Sequence, residues 1–269
     1  MPAYYSFTSV INSLLAEPQA SLLNGILFGV RGNIPKSLYQ ALIDTGTLHI
    51  IALSGMNITI LANLTAKITL FLGRKASSIL TISLIVLFVW FVGTSPSVVR
   101  AAIMGSLSLL AVYFGRQYYG LLALFLTSLI MILFDFSLIN NLSFQLSFLA
   151  TLGIILANRF SVRQVKSGPL GQFISIFKEN LKLTVSAQIL TLPVILYNFK
   201  RISLIAPLAN LLVEWAIQPI MVLGFVTGVL GFIWKPLGLI PAWFAWVPLT
   251  YLITVIEWLA KIPGASINF

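Results

Sequence analysis

Long apolar runs, separated by short polar or charged links, set the pattern of this chain. Thr45 to Ala66 carries no charge apart from His49, and Ala76 to Val99 carries none. Ser97 to Phe114 is interrupted only by Arg100; Gln117 to Phe134, Phe136 to Asn158 and Leu183 to Phe199 follow. The last third reads as Ile202 to Ala216, Trp215 to Trp234 and Pro236 to Ile256. Each long run approaches the roughly 20 residues that cross a hydrocarbon core as a helix. The pattern predicts an all-α, polytopic membrane helical bundle of about eight spans. Prolines divide the last third, which makes its segmentation the least regular. The first 45 residues differ, because "EPQASLLNGILFGVRGNIPKSLYQALIDTG" mixes apolar and polar positions at helical spacing. Glu17-Pro18 reads as a helix start and Gly32-Asn33 as a stop. Residues 1–45 are therefore expected to form interfacial amphipathic helices ahead of a transmembrane domain over 46–269.

Composition strengthens the membrane reading. Of 269 residues, 59% are hydrophobic and 8% charged, against about 25% charged in soluble domains. With a mean hydropathy of +1.01, a soluble fold would have too little polar surface to cover itself. There are 16 Lys+Arg and 6 Asp+Glu, a net charge of +10. In a soluble chain that excess would suggest a nucleic-acid surface; in a membrane protein it first marks cytoplasmic loops. Cysteine is absent, which excludes disulfides and thiolate zinc sites. One histidine and six scattered acids leave no set of ligands for a catalytic transition metal, so neither a metal site nor a cofactor is expected. The opening "MPAYYSFTSVINSLLAEPQ" lacks the basic-then-apolar order of a signal peptide.

Loop charges predict the orientation. The loops after the first, third and fifth spans hold Arg74 and Lys75, then Arg116, then Arg159, Arg163, Lys166 and Lys178. Those near Ser95 and Asn140 hold no Lys or Arg, while Lys200 and Arg201 are an exception after the sixth. The first group is assigned to the cytoplasm, leaving the N-terminal segment outside.

Polar groups within spans are costly unless they face protein or water, so their positions carry the functional signal. Arg100 sits one turn into "SPSVVRAAIMGSLSLLAVYF", after Ser95 as a cap and Pro96 in the first turn. It reads either as a side chain snorkelling to the interface or as a cation at a pore mouth. Ala101, Gly105 and Ser108 form a small-residue stripe suited to close helix packing. Thr184, Gln188, Thr191 and Asn198 fall within about 80° of one another on one helix, with Pro193 opposite. They suit a wet wall or interhelical hydrogen bonds. Asn141 and Gln145 share one side of the preceding run, and Ser143, Ser147 and Thr151 another. Gly224 and Gly228 read as packing, and Glu214 interrupts "NLLVEWAIQP".

"LHIIALSGMNITIL" gathers His49, Ser54, Gly55 and Asn57 within nine residues. Ser-Gly suits a regular helix poorly, since glycine is conformationally loose and serine competes for backbone hydrogen bonds. A broken helix at membrane depth is tolerated only where it is buried in protein or lines water. The cluster therefore predicts a break facing a cavity.

These same residues carry a resemblance. "TGTLHIIALSGMNITIL", "GTSPSVVRAAIMG" and "NLSFQLSFLATLGIIL" resemble, in order, three signature segments of the ComEC family of competence proteins. "EPQASLLNGILFGVRGNIP" is similar to the segment leading into them, and "SAQILTLPVILYNF" with "PLANLL" to the closing part. The match covers roughly residues 17 to 235. It implies a multi-pass channel of the cytoplasmic (inner) membrane that passes single-stranded DNA into the cytoplasm during natural transformation. It further implies a separate nuclease and a cytoplasmic helicase or ATPase as partners, and a homo-oligomer. The family motif commonly carries a second histidine where this chain has Asn57, which weakens any paired-histidine role. Full-length relatives often add an OB-like domain and a metallo-β-lactamase-like nuclease domain. This chain has no HxHxDH cluster, and the expectation is the membrane core alone.

On this reading the strand path is expected to involve His49, Ser54, Gly55, Asn57, Arg100, Gln145 and Gln188, with no catalytic residues. Phosphates call for Arg or Lys along the route, and sequence-neutral strand binding often adds aromatic stacking. The alternative is a transporter for another anionic or small solute on the same fold. An intramembrane enzyme using His49 and Ser54 is the weakest reading, because no third group is evident to orient such a pair.

Overall fold

The computed structural model describes residues 4–51, 55–159, 169–262 and 266–268. Ser54, Arg163 and Lys166 lie outside them. Among the described residues the fold is helical apart from one two-stranded ladder. Three short helices come first: α1 (Tyr4–Leu14), α2 (Gln19–Phe28) and α3 (Lys36–Asp44). A 3-10 turn over Leu48–Ile51 leads to α4 (Gly55–Thr69), which tightens to 3-10 over Leu70–Leu72. Then follow α5 (Arg74–Val92), α6 (Pro96–Tyr113), α7 (Gly120–Phe134), α8 (Leu142–Arg159) and α9 (Pro169–Phe199). α10 (Ala206–Ile233) and α11 (Lys235–Ala260) close the chain as a long hairpin. β1 (Arg201–Ser203) pairs antiparallel with β2 (Ser266–Asn268), Ile202 opposite Ile267.

Among the described residues, six helical segments are long and apolar enough to cross a membrane: Gly55–Leu72, α5, α6, Leu181–Asn198, α10 and α11. α7 and the apolar part of α8 are shorter and pack with them. The two runs read at 202–216 and 215–234 join in one 28-residue helix, α10, which continues through Trp215 and Ala216 and holds Pro219 inside it. Pro193, Pro241 and Pro248 likewise sit inside helices. Neighbouring helices can supply partners for the backbone groups a proline frees, which is why spanning helices tolerate it.

The amphipathic character expected of the N-terminal segment does not extend to α2. Every residue from Gln19 to Phe28 is buried, against α1, α10, α11 and the 3-10 turn. Its start is the one read at Glu17-Pro18, where the Glu17 carboxylate accepts the Ser21 backbone N–H at 3.2 Å and also contacts the Ser21 hydroxyl. That places negative charge at the positive end of a helix. Its stop comes earlier than Gly32-Asn33, at Gly29, which adopts a left-handed φ of 70° and donates to the Gly25 carbonyl.

Lipid tails are as apolar as leucine, so close contact, not exclusion from water, holds such helices together. Glycines provide the contact. A Cβ on Gly224 would meet the side chains of Leu23 and Leu27 of α2, and one on Gly228 would lie 3.2 Å from Phe7 of α1. The Gly224/Gly228 pair is thus a packing face. Gly153 does the same for α8 and α9, where an added Cβ would lie 3.0 Å from the Ser186 carbonyl carbon and 3.2 Å from the Ala187 Cα. The Ala101–Gly105 stripe packs α6 on α4, with Ala101 Cβ 3.0 Å from the Cβ position of Gly55.

Several basic links meet at one end of the bundle. Lys75, opening α5, lies over the Tyr113 ring at 5.8 Å, three residues before Arg116. Gly120 packs on Ile155, and Lys182 donates to the Ala157 carbonyl at 2.9 Å.

Candidate functional site

The helix break read at Ser54-Gly55 falls partly outside the described residues, since Ser54 is not among them. The chain runs as a 3-10 turn over Leu48–Ile51, and the described part of α4 starts at Gly55. What precedes the 3-10 turn is held by a tight turn. Thr45 and Thr47 are fully buried, and their hydroxyls are 2.8 Å apart. Gly46 between them has φ +68°, and a Cβ there would lie 2.7 Å from Ala206 Cβ. Ser203 donates to the Asp44 carbonyl at 2.8 Å, which ties this turn to the entry of α10. His49 follows, exposed, with Nδ1 3.2 Å from the Gly46 carbonyl.

Gly55 faces α6. The position a Cβ would take lies 3.8 Å from an Arg100 guanidinium nitrogen, so the lack of a side chain lets α4 approach the arginine. Arg100 is only 5% exposed. Two of its nitrogens donate to one acceptor, the Ser147 hydroxyl of α8, Nε at 3.0 Å and Nη2 at 2.7 Å. Nη1 lies 3.5 Å from the Met104 sulfur, a weak acceptor. No carboxylate pairs with it among the described residues. Arg100 is thus a buried cation at the α4–α6–α8 junction. Pro96 is the first residue of α6 as read, but Ser95 makes no side-chain cap bond there. A guanidinium offers five N–H donors and keeps its charge, and a buried one without a counter-ion favours an anion. Tyr118, in the link before α7, lies within its electrostatic reach. Burial raises the Tyr118 hydroxyl pKa, and the charge of Arg100 partly offsets that rise.

Asn57 does different work from that expected of a path residue. It is 1% exposed, and its Nδ2 donates to the Ile26 carbonyl at 3.0 Å. That carbonyl belongs to the last turn of α2, whose own chain turns away at Gly29 and leaves terminal carbonyls without helical donors. Asn57 thus caps α2 from α4. Gln145 also stands apart from Arg100, its Nε2 donating to the Ile139 carbonyl at 2.8 Å at the start of its own helix. Gln188 is half-buried on α9. In its stripe, Thr191 and Asn198 bond back to the Ala187 and Val194 carbonyls.

The structure thus brings Gly55 and Arg100 together, adds Ser147, and leaves His49, Asn57, Gln145 and Gln188 at separate places. Ser147 lies in the run "NNLSFQLSFLATLG"; only its one-sided spacing with Ser143 and Thr151 hinted at a polar face. Among the described residues no group of three or more His, Cys, Asp or Glu is placed to hold a metal ion.

Among the described residues, six helices long and apolar enough to span define a multi-pass membrane protein. Comparison with known proteins then narrows the class. The Competence protein family matches residues 26–269, and the chain belongs to that family. It is 30% identical over 224 residues to ComE operon protein 3 of Bacillus subtilis (strain 168). That alignment takes in 82% of this chain and 28% of the relative, so the chain spans little more than a quarter of that protein's length. No solved structure matches it.

Proposed function

We propose that this chain is the membrane-embedded conduit of a DNA-uptake system, passing single-stranded DNA across the inner membrane into the cytoplasm during natural transformation. The observation that carries the reading is Arg100: a buried cation beside Gly55, bonded to a hydroxyl and a thioether rather than to a carboxylate. A resident acid would cancel its field, whereas here the attraction is kept for a passing phosphate. Membership of a competence family supports the same cargo. The role is conduction, not catalysis. Strand degradation and the driving force fall to a separate nuclease and a cytoplasmic ATPase. The end of the bundle that gathers Lys75, Arg116 and Lys182 is the cytoplasmic one, by the excess of cations there.

The test is a transformable host lacking its own competence membrane protein, complemented with this chain and given end-labelled DNA. Label reaching the cytoplasm only in the complemented strain is the expected result. Full membrane insertion with no cytoplasmic label would refute DNA as the cargo. Counterflow of a small anion by the purified protein would instead establish the solute-transporter reading.

A further inference from the structure

α4 turns its polar side outward. Between Gly55 and Lys67 three side chains are exposed, Thr59, Asn63 and Lys67, and all three are polar. The same segment lies in a stretch long and apolar enough to span the membrane. α7 shows the opposite order. Its exposed side chains are Leu122, Phe125, Leu126, Leu129, Leu133 and Phe134, while Thr127 and Ser128 are turned inward. Polar inside and apolar outside is what a lipid-facing helix requires, because hydrocarbon offers an amide or ammonium no partner. α7 obeys that rule, and α4 departs from it at Thr59, Asn63 and Lys67, although Asn57 and Thr65 are turned inward and Ile68 outward.

That polar row is continuous with Arg100. Gly55, Thr59, Asn63 and Lys67 recur every four residues, each step turning by about 40° and rising about 6 Å. The row starts where Gly55 meets the guanidinium and ends at the Lys67 ammonium, about 18 Å further along the helix. Thr59 satisfies its hydroxyl on the Gly55 carbonyl at 3.1 Å. The Asn63 amide, midway along the span, makes no hydrogen bond to any described residue. Two other polar rows compete for the same role. On α10, Asn210, Glu214 and Gln218 recur at the same interval, but that helix carries no cation to attract phosphate. On α9, the Gln188 row contains no cation between Thr184 and Asn198.

We infer that the Thr59–Asn63–Lys67 face of α4 is a water-lined wall of the path along which the phosphodiester backbone of single-stranded DNA moves, between Arg100 and Lys67. This rests on the DNA-conduit reading and assigns its wall to residues outside the Gln188 row. Cations at the two ends attract phosphate, and uncharged Thr59 and Asn63 between them give hydrogen bonds without trapping the strand.

The chain contains no cysteine, so single cysteines report without background. Cysteine at 59, 63 or 67 is reacted with a charged, water-soluble thiol reagent in membrane vesicles, with cysteine at 126 of α7 as the lipid-facing control. The thiolate is the reacting form and needs water to exist. Expected is labelling at 59, 63 and 67 at least about tenfold faster than at 126, slowed severalfold by a single-stranded oligonucleotide. Labelling at 63 as slow as at 126, in a variant present at normal membrane level, overturns the wall. Fast labelling that the oligonucleotide leaves unchanged overturns the strand as occupant. Disulfide-linked dimers through position 63 make the face a contact between copies and overturn it as well. The conduit reading fails separately, if the unsubstituted chain supports no uptake.

Discussion

Replacing Asn57 by alanine tests whether this residue is a cap and not a pore-lining group. Its amide donates at 3.0 Å to the Ile26 carbonyl, and both residues are essentially inaccessible, at 1% and 0% exposure. Without the amide, one carbonyl at the end of α2 is left buried with a lost donor and no water to replace it. Leaving such a group unsatisfied costs about 1–3 kcal/mol. A chain of this size loses roughly 2–4 °C of melting temperature per kcal/mol, which places the expected drop on the order of 5 °C. Asn57→His, which keeps an N–H donor, is expected to lose less than Asn57→Ala. Asn57→Asp sets a carboxylate against a carbonyl oxygen and is expected to lose more at neutral pH. The assay is the fraction of detergent-solubilised protein that stays monodisperse after heating. Limited proteolysis across residues 29–36 then reports whether α2 has come loose. An alanine variant as stable as the parent chain, yet deficient in DNA uptake, would refute the capping argument and return Asn57 to the strand path.

Arg100→Gln is expected to lower uptake of labelled DNA by about tenfold or more, the equivalent of about 1.4 kcal/mol, and Arg100→Lys by less, because charge remains while the two-nitrogen grip on Ser147 is lost; wild-type uptake by a normally inserted Gln variant would make the arginine structural only. Gly153→Ala forces a methyl against the α9 backbone, 3.0 Å from the Ser186 carbonyl carbon. Overpacking of this kind costs about 1–3 kcal/mol, seen as a lower melting temperature, while Gly32→Ala, with nothing within 4 Å, leaves it unchanged. Elemental analysis of purified protein is expected to show the same transition-metal content for His49→Gln as for the parent, since the Gly46 carbonyl is the only neighbour the imidazole bonds among the described residues. Stoichiometric metal lost in that variant would overturn this.

The sequence by itself determined the class of protein. A run of some 20 apolar residues has only one economical state in a bilayer, because each backbone group must bond within its own helix. Tertiary structure decided what each polar residue meets. Asn57 and Arg100 both read as path candidates, yet one caps a helix 31 residues away and the other is held by a hydroxyl 47 residues away. Hydropathy is a property of single positions and periodicity of single helices, so neither says which helix covers a face. That is why α2 reads as amphipathic and is in fact buried throughout, its ten residues enclosed by α1, α10 and α11. It is also why the chain reads as two runs meeting at Trp215 and Ala216, although α10 continues through both. The outward polar row of α4 is the clearest case. Thr59, Asn63 and Lys67 stand in the sequence at a spacing any amphipathic helix shows, and only the packing of α5 and α6 against the other side leaves that row facing away from the protein.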